Sequence, residues 1–97
     1  MVKHIVLFKL KDASPAGRKT AIDMLMSMEG KMDILKSIEA GTDILGSPRS
    51  YDVALICTFE SKAALDAYQE HPVHLPVKKY MAEARESSVS CDFEYDA

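Results

Sequence analysis

"VKHIVLFKLK", residues 2–11, divides into two sets of side chains when the chain is drawn extended. Val2, His4, Val6, Phe8 and Leu10 fall on one face, and Lys3, Ile5, Leu7 and Lys9 on the other. Both faces are substantially apolar. "YDVALICTFE" (51–60) repeats the pattern, with Tyr51, Val53, Leu55, Cys57 and Phe59 on one side and Ala54 and Ile56 on the other. Two such strands make a sheet that needs cover on both sides.

The rest of the chain supplies one cover. Ser14 and Pro15 are an N-cap and a first-turn proline, and Ala21, Leu25, Met28 and Met32 recur at steps of three and four. This spacing predicts an amphipathic helix over 14–32, in which Met24, Met26, Met28 and Met32 are core filler. "ILKSIEAGTDIL" (34–45) reads as a second strand, alternating Ile38, Ala40, Thr42 and Ile44 with polar neighbours, and Gly41 marks a bulge or close backbone approach. "GSPRS" (46–50) is its turn. Ser61 caps a short helix carrying Leu65 and Tyr68, which Pro72 and Pro76 interrupt before helix resumes to about Ala84. "SVSCDFEYD" (88–96) closes the chain as a strand. The order β-α-β-β-α-β is that of an α+β, ferredoxin-like protomer: a four-stranded antiparallel sheet with helices on one face. Helices on one face leave the other bare, so the chain is expected to dimerise, sheet against sheet, into an α+β barrel. The Val2, His4, Val6 and Phe8 face is assigned to that barrel.

Composition narrows the partners. The 97 residues form a single expected domain, 1–97, with 47% apolar residues and no low-complexity tract. Twelve Lys and Arg against fifteen Asp and Glu give a net charge of -3, which argues against nucleic acid as a partner. The apolar run Ile5 to Phe8 is too short for a secretory leader or a membrane span, so a cytoplasmic protein with no membrane partner is expected. Cys57 and Cys91 lack CxxC spacing and read as buried free thiols. Neither a glycine-rich phosphate loop nor a nucleophile elbow occurs. The histidines have no carboxylate or cysteine at recognisable ligand spacing, so no metal and no cofactor are expected.

The chemistry concentrates in "AYQEHPVHLP" (67–76). On an unbroken helix Tyr68 and His74 would sit about 120° apart and would not converge. Pro72 lacks the N–H that would bond the Tyr68 carbonyl and biases His71 towards extended geometry, so a break there redirects His74. His71 itself is expected to cap free carbonyls at a helix C-terminus. His4 stands on an otherwise apolar strand face, and with Tyr68 and His74 it would make the residue mix of a ligand site, which Tyr51 or Tyr80 would join.

"VKHIVLFKLK", "SPRSYDVALICTFESKAALDAYQEHPVH" (47–74) and the closing "FEYD" together resemble the stress-responsive A/B barrel (Dabb) family of dimeric α+β barrels. The most specific parts are Ser50-Tyr51-Asp52 before the third strand and His71-Pro72-x-His74 after Tyr68. The chain departs from the common pattern at Lys31-Met32-Asp33-Ile34, where a Pro-Gly turn is usual, and at Pro76, close behind the second histidine. The resemblance implies two protomers joined into a barrel that encloses a cavity. It also implies, from cyclase-like members, that a tyrosine and a histidine act as an acid-base pair, roles that fall on Tyr68 and His74. His4, His71, Phe8 and Tyr51 would line the cavity. The expectation is then a homodimer holding a small apolar or aromatic molecule, with cofactor-free, cyclase- or lyase-like acid-base chemistry on a carbonyl compound. The alternative is a non-catalytic, stress-associated or ligand-binding dimer whose barrel is only a hydrophobic core, filled by Phe8, Tyr51, Phe59, Phe93 and Tyr95.

Overall fold

A computed structural model describes residues 1–96, so the last residue of the domain expected over 1–97 lies outside them. The elements are β1 (Val2–Leu10), α1 (Pro15–Met26), β2 (Ser37–Thr42), β3 (Val53–Phe59), α2 (Lys62–Gln69), α3 (His74–Ala84) and β4 (Arg85–Glu94). The strands form one sheet in the order β2-β3-β1-β4, every neighbouring pair antiparallel. This is the expected ferredoxin-like α+β fold, with the broken second helix counted as two. No helix among the described residues is long and apolar enough to cross a membrane.

Local chemistry sets the boundaries. Ser14 Oγ accepts the Gly17 N–H at 3.2 Å and Pro15 opens α1, as the cap signal requires. The helix stops at Met26, short of the expected residue 32. Ser27 Oγ bonds back to the Met24 carbonyl, and Gly30 takes a φ of +74°, which turns the chain. Met28 and Met32 are still buried, because the turn carries them under the sheet. Strand β2 ends before Ile44, which is 99% exposed and does not continue the apolar face. Gly41 makes no bulge; it pairs with Ala54 in unbroken register.

The two sides of the sheet are the reverse of the expected assignment. Val2, His4, Phe8 and Leu10 pack beneath the helices, in one core with Leu25, Met28, Leu65, Tyr68, Val77 and Met81. Period-two alternation tells which residues share a face but not which face the helices take. The bare side carries Ile5 opposite Ile56 and Cys91, and Leu7 opposite Ala54 and Val89. Phe93, 43% exposed, lies beside Lys3 on that side, and Lys3 Nζ sits 4.8 Å from the Tyr95 ring. The aromatic residues expected to fill one barrel are therefore split: Phe8 and Phe59 are core, and Phe93 and Tyr95 are not. The cysteines are split likewise, with Cys57 buried and Cys91 exposed.

One carboxylate ties the end of the sheet together. Asp52 Oδ2 accepts the Leu10 N–H at 2.8 Å, Asp52 Oδ1 accepts from Arg18 Nη2 of α1 at 3.1 Å, and the Asp52 N–H donates to the Phe8 carbonyl at 2.8 Å. Arg18 Nη1 also donates to the Asp43 carbonyl, which fastens the β2–β3 loop. Hydrogen bonds to a charged group contribute about 1.5–3 kcal/mol each to stability. Asp52→Ala is expected to lower stability by about 2 kcal/mol in urea denaturation. Lys19→Ala, which breaks the exposed Lys19–Asp23 pair, should cost under about 0.5 kcal/mol by the same measurement.

Candidate functional site

His4, Tyr68 and His74 come from three different elements and meet under the helices. All three are buried, with 8%, 1% and 9% of their surfaces exposed. The break between α2 and α3 brings the last two together. Helix α2 ends at Gln69, and His71 N–H bonds the Tyr68 carbonyl at 3.1 Å. Helix α3 restarts when the His74 N–H reaches the His71 carbonyl at 2.9 Å. Pro72, with no N–H to offer, sits inside this turn. The Tyr68 and His74 rings end 4.1 Å apart, at an interplanar angle of 30°.

Each imidazole is oriented by an acceptor. His4 Nδ1 bonds Asp92 Oδ1, the residue directly opposite it on β4. A carboxylate accepts, so Nδ1 carries the proton and Nε2 is the nitrogen that Asp92 does not engage. His74 Nδ1 lies 3.3 Å from the Gln69 carbonyl oxygen. A carbonyl only accepts, so Nδ1 donates and the neutral His74 ring keeps a lone pair on Nε2. Burial holds the His74 imidazole below its ordinary value; the Gln69 carbonyl opposes this, and the positive charge of Lys78 adds to it. His74 is therefore a neutral base at pH 7.

Tyr68 supplies the complementary group. Its ring packs on Phe59 at 5.0 Å and meets His4 edge-on at 6.0 Å. Burial raises its hydroxyl above the ordinary phenol range, with the adjacent Cys57 thiol adding to the effect. Cys57 is itself pushed up to about 12 by burial. The phenol thus stays protonated, and its hydrogen-bond partner is the Met28 thioether at 3.9 Å. Sulfur is a weak acceptor, which leaves the O–H ready for an oxygen that builds negative charge.

These residues border a cavity of about 270 Å³ between sheet and helices, walled by Phe8, Leu25, Met28 and Val77 among others. It lies within one protomer, not in a chamber between two, and this corrects the expected location. Phe8 lines it as expected. His71 does not: its Nδ1 accepts the Val73 N–H at 3.1 Å, so it supports the start of α3 and does not cap the carbonyls of α2. Tyr51 is on the bare side of the sheet, with Lys9 Nζ 5.3 Å from its ring, in a hollow of about 490 Å³ that contains no histidine. Tyr80 borders a separate hollow near the start of α1. Among the described residues no group of three His, Cys, Asp or Glu is placed to hold a metal ion. Asp92 was not foreseen; only the β1–β4 register pairs it with His4, and spacing along the chain does not reveal that register.

The family model of the Stress responsive A/B Barrel Domain matches residues 2–95. An uncharacterized protein of Streptomyces coelicolor is 32% identical over 79 residues, covering 76% of this chain and 79% of the relative. A crystal structure of a dimeric protein of unknown function and ferredoxin-like fold from Bacteroides fragilis superposes with a TM-score of 0.81 at 29% identity, covering 97% of this chain and 95% of the other. A hydroxynitrile lyase from Passiflora edulis superposes with a TM-score of 0.84, covering 98% and 93% of the two chains, and at 22% identity the likeness is one of fold.

The depressed His74 has a consequence for stability. The folded state binds fewer protons than the unfolded state between the two pKa values, so stability rises with pH in that window. It is fully present above the ordinary histidine value of 6.5 and is lost as pH falls below it. Urea melts from pH 8 to pH 5 should show this loss, with a shallower slope in His74→Gln, while NMR titration of the His74 ring should give a midpoint below that of a free imidazole.

Proposed function

The chain belongs to the Stress responsive A/B Barrel Domain family, and from that premise we propose a homodimer whose protomers each perform acid-base chemistry on an apolar or aromatic carbonyl compound. The observation that carries this reading is the convergence of two oriented imidazoles, that of His74 neutral, and a protonated phenol on one apolar-walled cavity. His74 Nε2 takes a proton from the carbon next to the carbonyl. The Tyr68 O–H, held by weak sulfur partners, donates to the oxygen as enolate charge develops there. His4, fixed by Asp92, orients the substrate, and His74 Nε2 returns the proton it took to the product. Each step uses groups already in the protonation state it needs at neutral pH.

Support for the dimer comes from the bare side of the sheet. Ile5, Leu7, Ala54, Ile56, Val89 and Phe93 form a continuous surface across three strands, with Val89 and Phe93 46% and 43% exposed. Apolar area of this kind returns about 25 cal/mol per Å² when covered. A second copy offers a complementary surface by symmetry, and the Bacteroides relative is a dimer. The dimer then stabilises the sheet from behind while the helices hold the cavity in front.

Proton abstraction is measurable without knowing the natural substrate. The protein should speed deuterium exchange at the carbon flanked by ring and carbonyl in phenylacetone, followed by proton NMR. His74→Gln should slow the catalysed exchange by at least about a hundredfold, the lower range for a general base. Tyr68→Phe should slow it by about a hundredfold, the lower range for removal of an oxyanion donor. Tyr51→Phe, on the opposite side of the sheet, should leave it unchanged. Exchange that persists in His74→Gln contradicts the reading, as does the absence of any acceleration by the parent protein.

A further inference from the structure

Resting on this acid-base reading of the cavity, we infer that its substrate carries an anionic group, a carboxylate or a phosphate, at the end remote from the carbonyl. The inference comes from two cations at and just beyond α3 that the proton chemistry leaves unused. His74, Lys78 and Met81 recur at i, i+4 and i+7 of α3, on one stripe about 60° wide, and Arg85 follows the helix as the first residue of β4. All four line the cavity. Lys78 stands one turn, about 6 Å, along the helix axis from His74. The lining therefore joins a buried base to one exposed and one half-buried cation.

The surroundings of those cations favour an anion. Lys78 is exposed and Arg85 half-buried, and none of the ion pairs among the described residues includes either. Arg85 Nη1 donates to Ser88 Oγ at 2.9 Å, and Ser88 and Ser90 line the same end of the cavity. Among the described residues no Asp or Glu lines the cavity, although Asp and Glu outnumber Lys and Arg fifteen to twelve in the whole chain. Asp92 is engaged by His4, and Glu70, whose charge acts on His74, lies outside the lining. Cations beside low-dielectric walls attract an anion more strongly than the same cations in open water. The apolar middle, formed by Phe8, Leu25 and Val77, excludes charge there, so an anion is held at the mouth and the neutral carbonyl end is directed to His74. The cations thus set the orientation of the substrate as well as adding affinity.

Calorimetric titration of the full chain tests this with three probes: omega-phenylhexanoate, its neutral analogue omega-phenylhexanamide, and omega-phenylpentyl phosphate. The carboxylate should bind at least about tenfold more tightly than the amide at low salt, and the advantage should shrink as salt is added. In the Lys78→Gln, Arg85→Gln double variant the carboxylate should fall to the level of the amide, with amide binding unchanged. Tighter binding of the phosphate than of the carboxylate identifies phosphate as the natural anion, and the reverse identifies a carboxylate. Equal affinity for acid and amide in the parent overturns the inference, as does a preference that survives the double variant, or failure of all three probes to bind. The measurement is independent of turnover. A charge-dependent preference in a protein that exchanges no protons would leave the anion site standing and remove the acid-base reading.

Discussion

The architecture follows from a sheet that is apolar on both sides. Its helix-facing surface holds Phe8, Leu55 and Phe59, and its reverse holds Ile5, Leu7 and Ile56. A chain with three short helices covers only the first. The reverse gains most from a flat, apolar, symmetric partner, and a second copy of the same sheet is such a surface. This division of labour lets the helix side depart from close packing. A cavity beneath α2 and α3 is tolerable where the neighbouring core, built on Leu25, Leu55 and Phe59, is continuous.

The interruption between α2 and α3 gives that cavity its polar lining. A single helix through residues 62–84 would have set Tyr68 and His74 on different faces and closed the groove. The turn at His71 and Pro72 instead stacks the two rings and aims α3 along the cavity, carrying Lys78 with it and leading to Arg85 at the start of β4. Burial then acts in opposite directions on the two groups. It keeps the imidazole neutral and the phenol protonated, the states that the proposed proton transfer uses.

Much of this was legible in the chain. Strand alternation in 2–11 and 51–60, the Ser14-Pro15 and Ser61 caps, and the prolines after Tyr68 lead to the element order, and the resemblance joins His4, Tyr68 and His74. The errors share a physical origin. Periodicity is a local property, so it could not say which face of β1 the helices would choose, and the cavity was assigned to the wrong side of the sheet. The same limit applied to α1, where Met28 and Met32 kept a helical spacing although the helix had ended at Met26. The link between His4 and Asp92 depends on strand register, which joins residues 88 positions apart. His71 was assigned to the helix before the break, but its ring nitrogen is used by the helix after it.

The claim on which the account depends most is that helices cover one side of the sheet and a second copy covers the other. Sedimentation velocity of the purified chain at micromolar concentration tests it directly. The account predicts a two-chain species that Ile56→Lys, placed at the centre of the bare surface, converts to single chains. A parent protein that sediments as a well-folded single chain, with Ile5, Ile56 and Phe93 open to water, would contradict it.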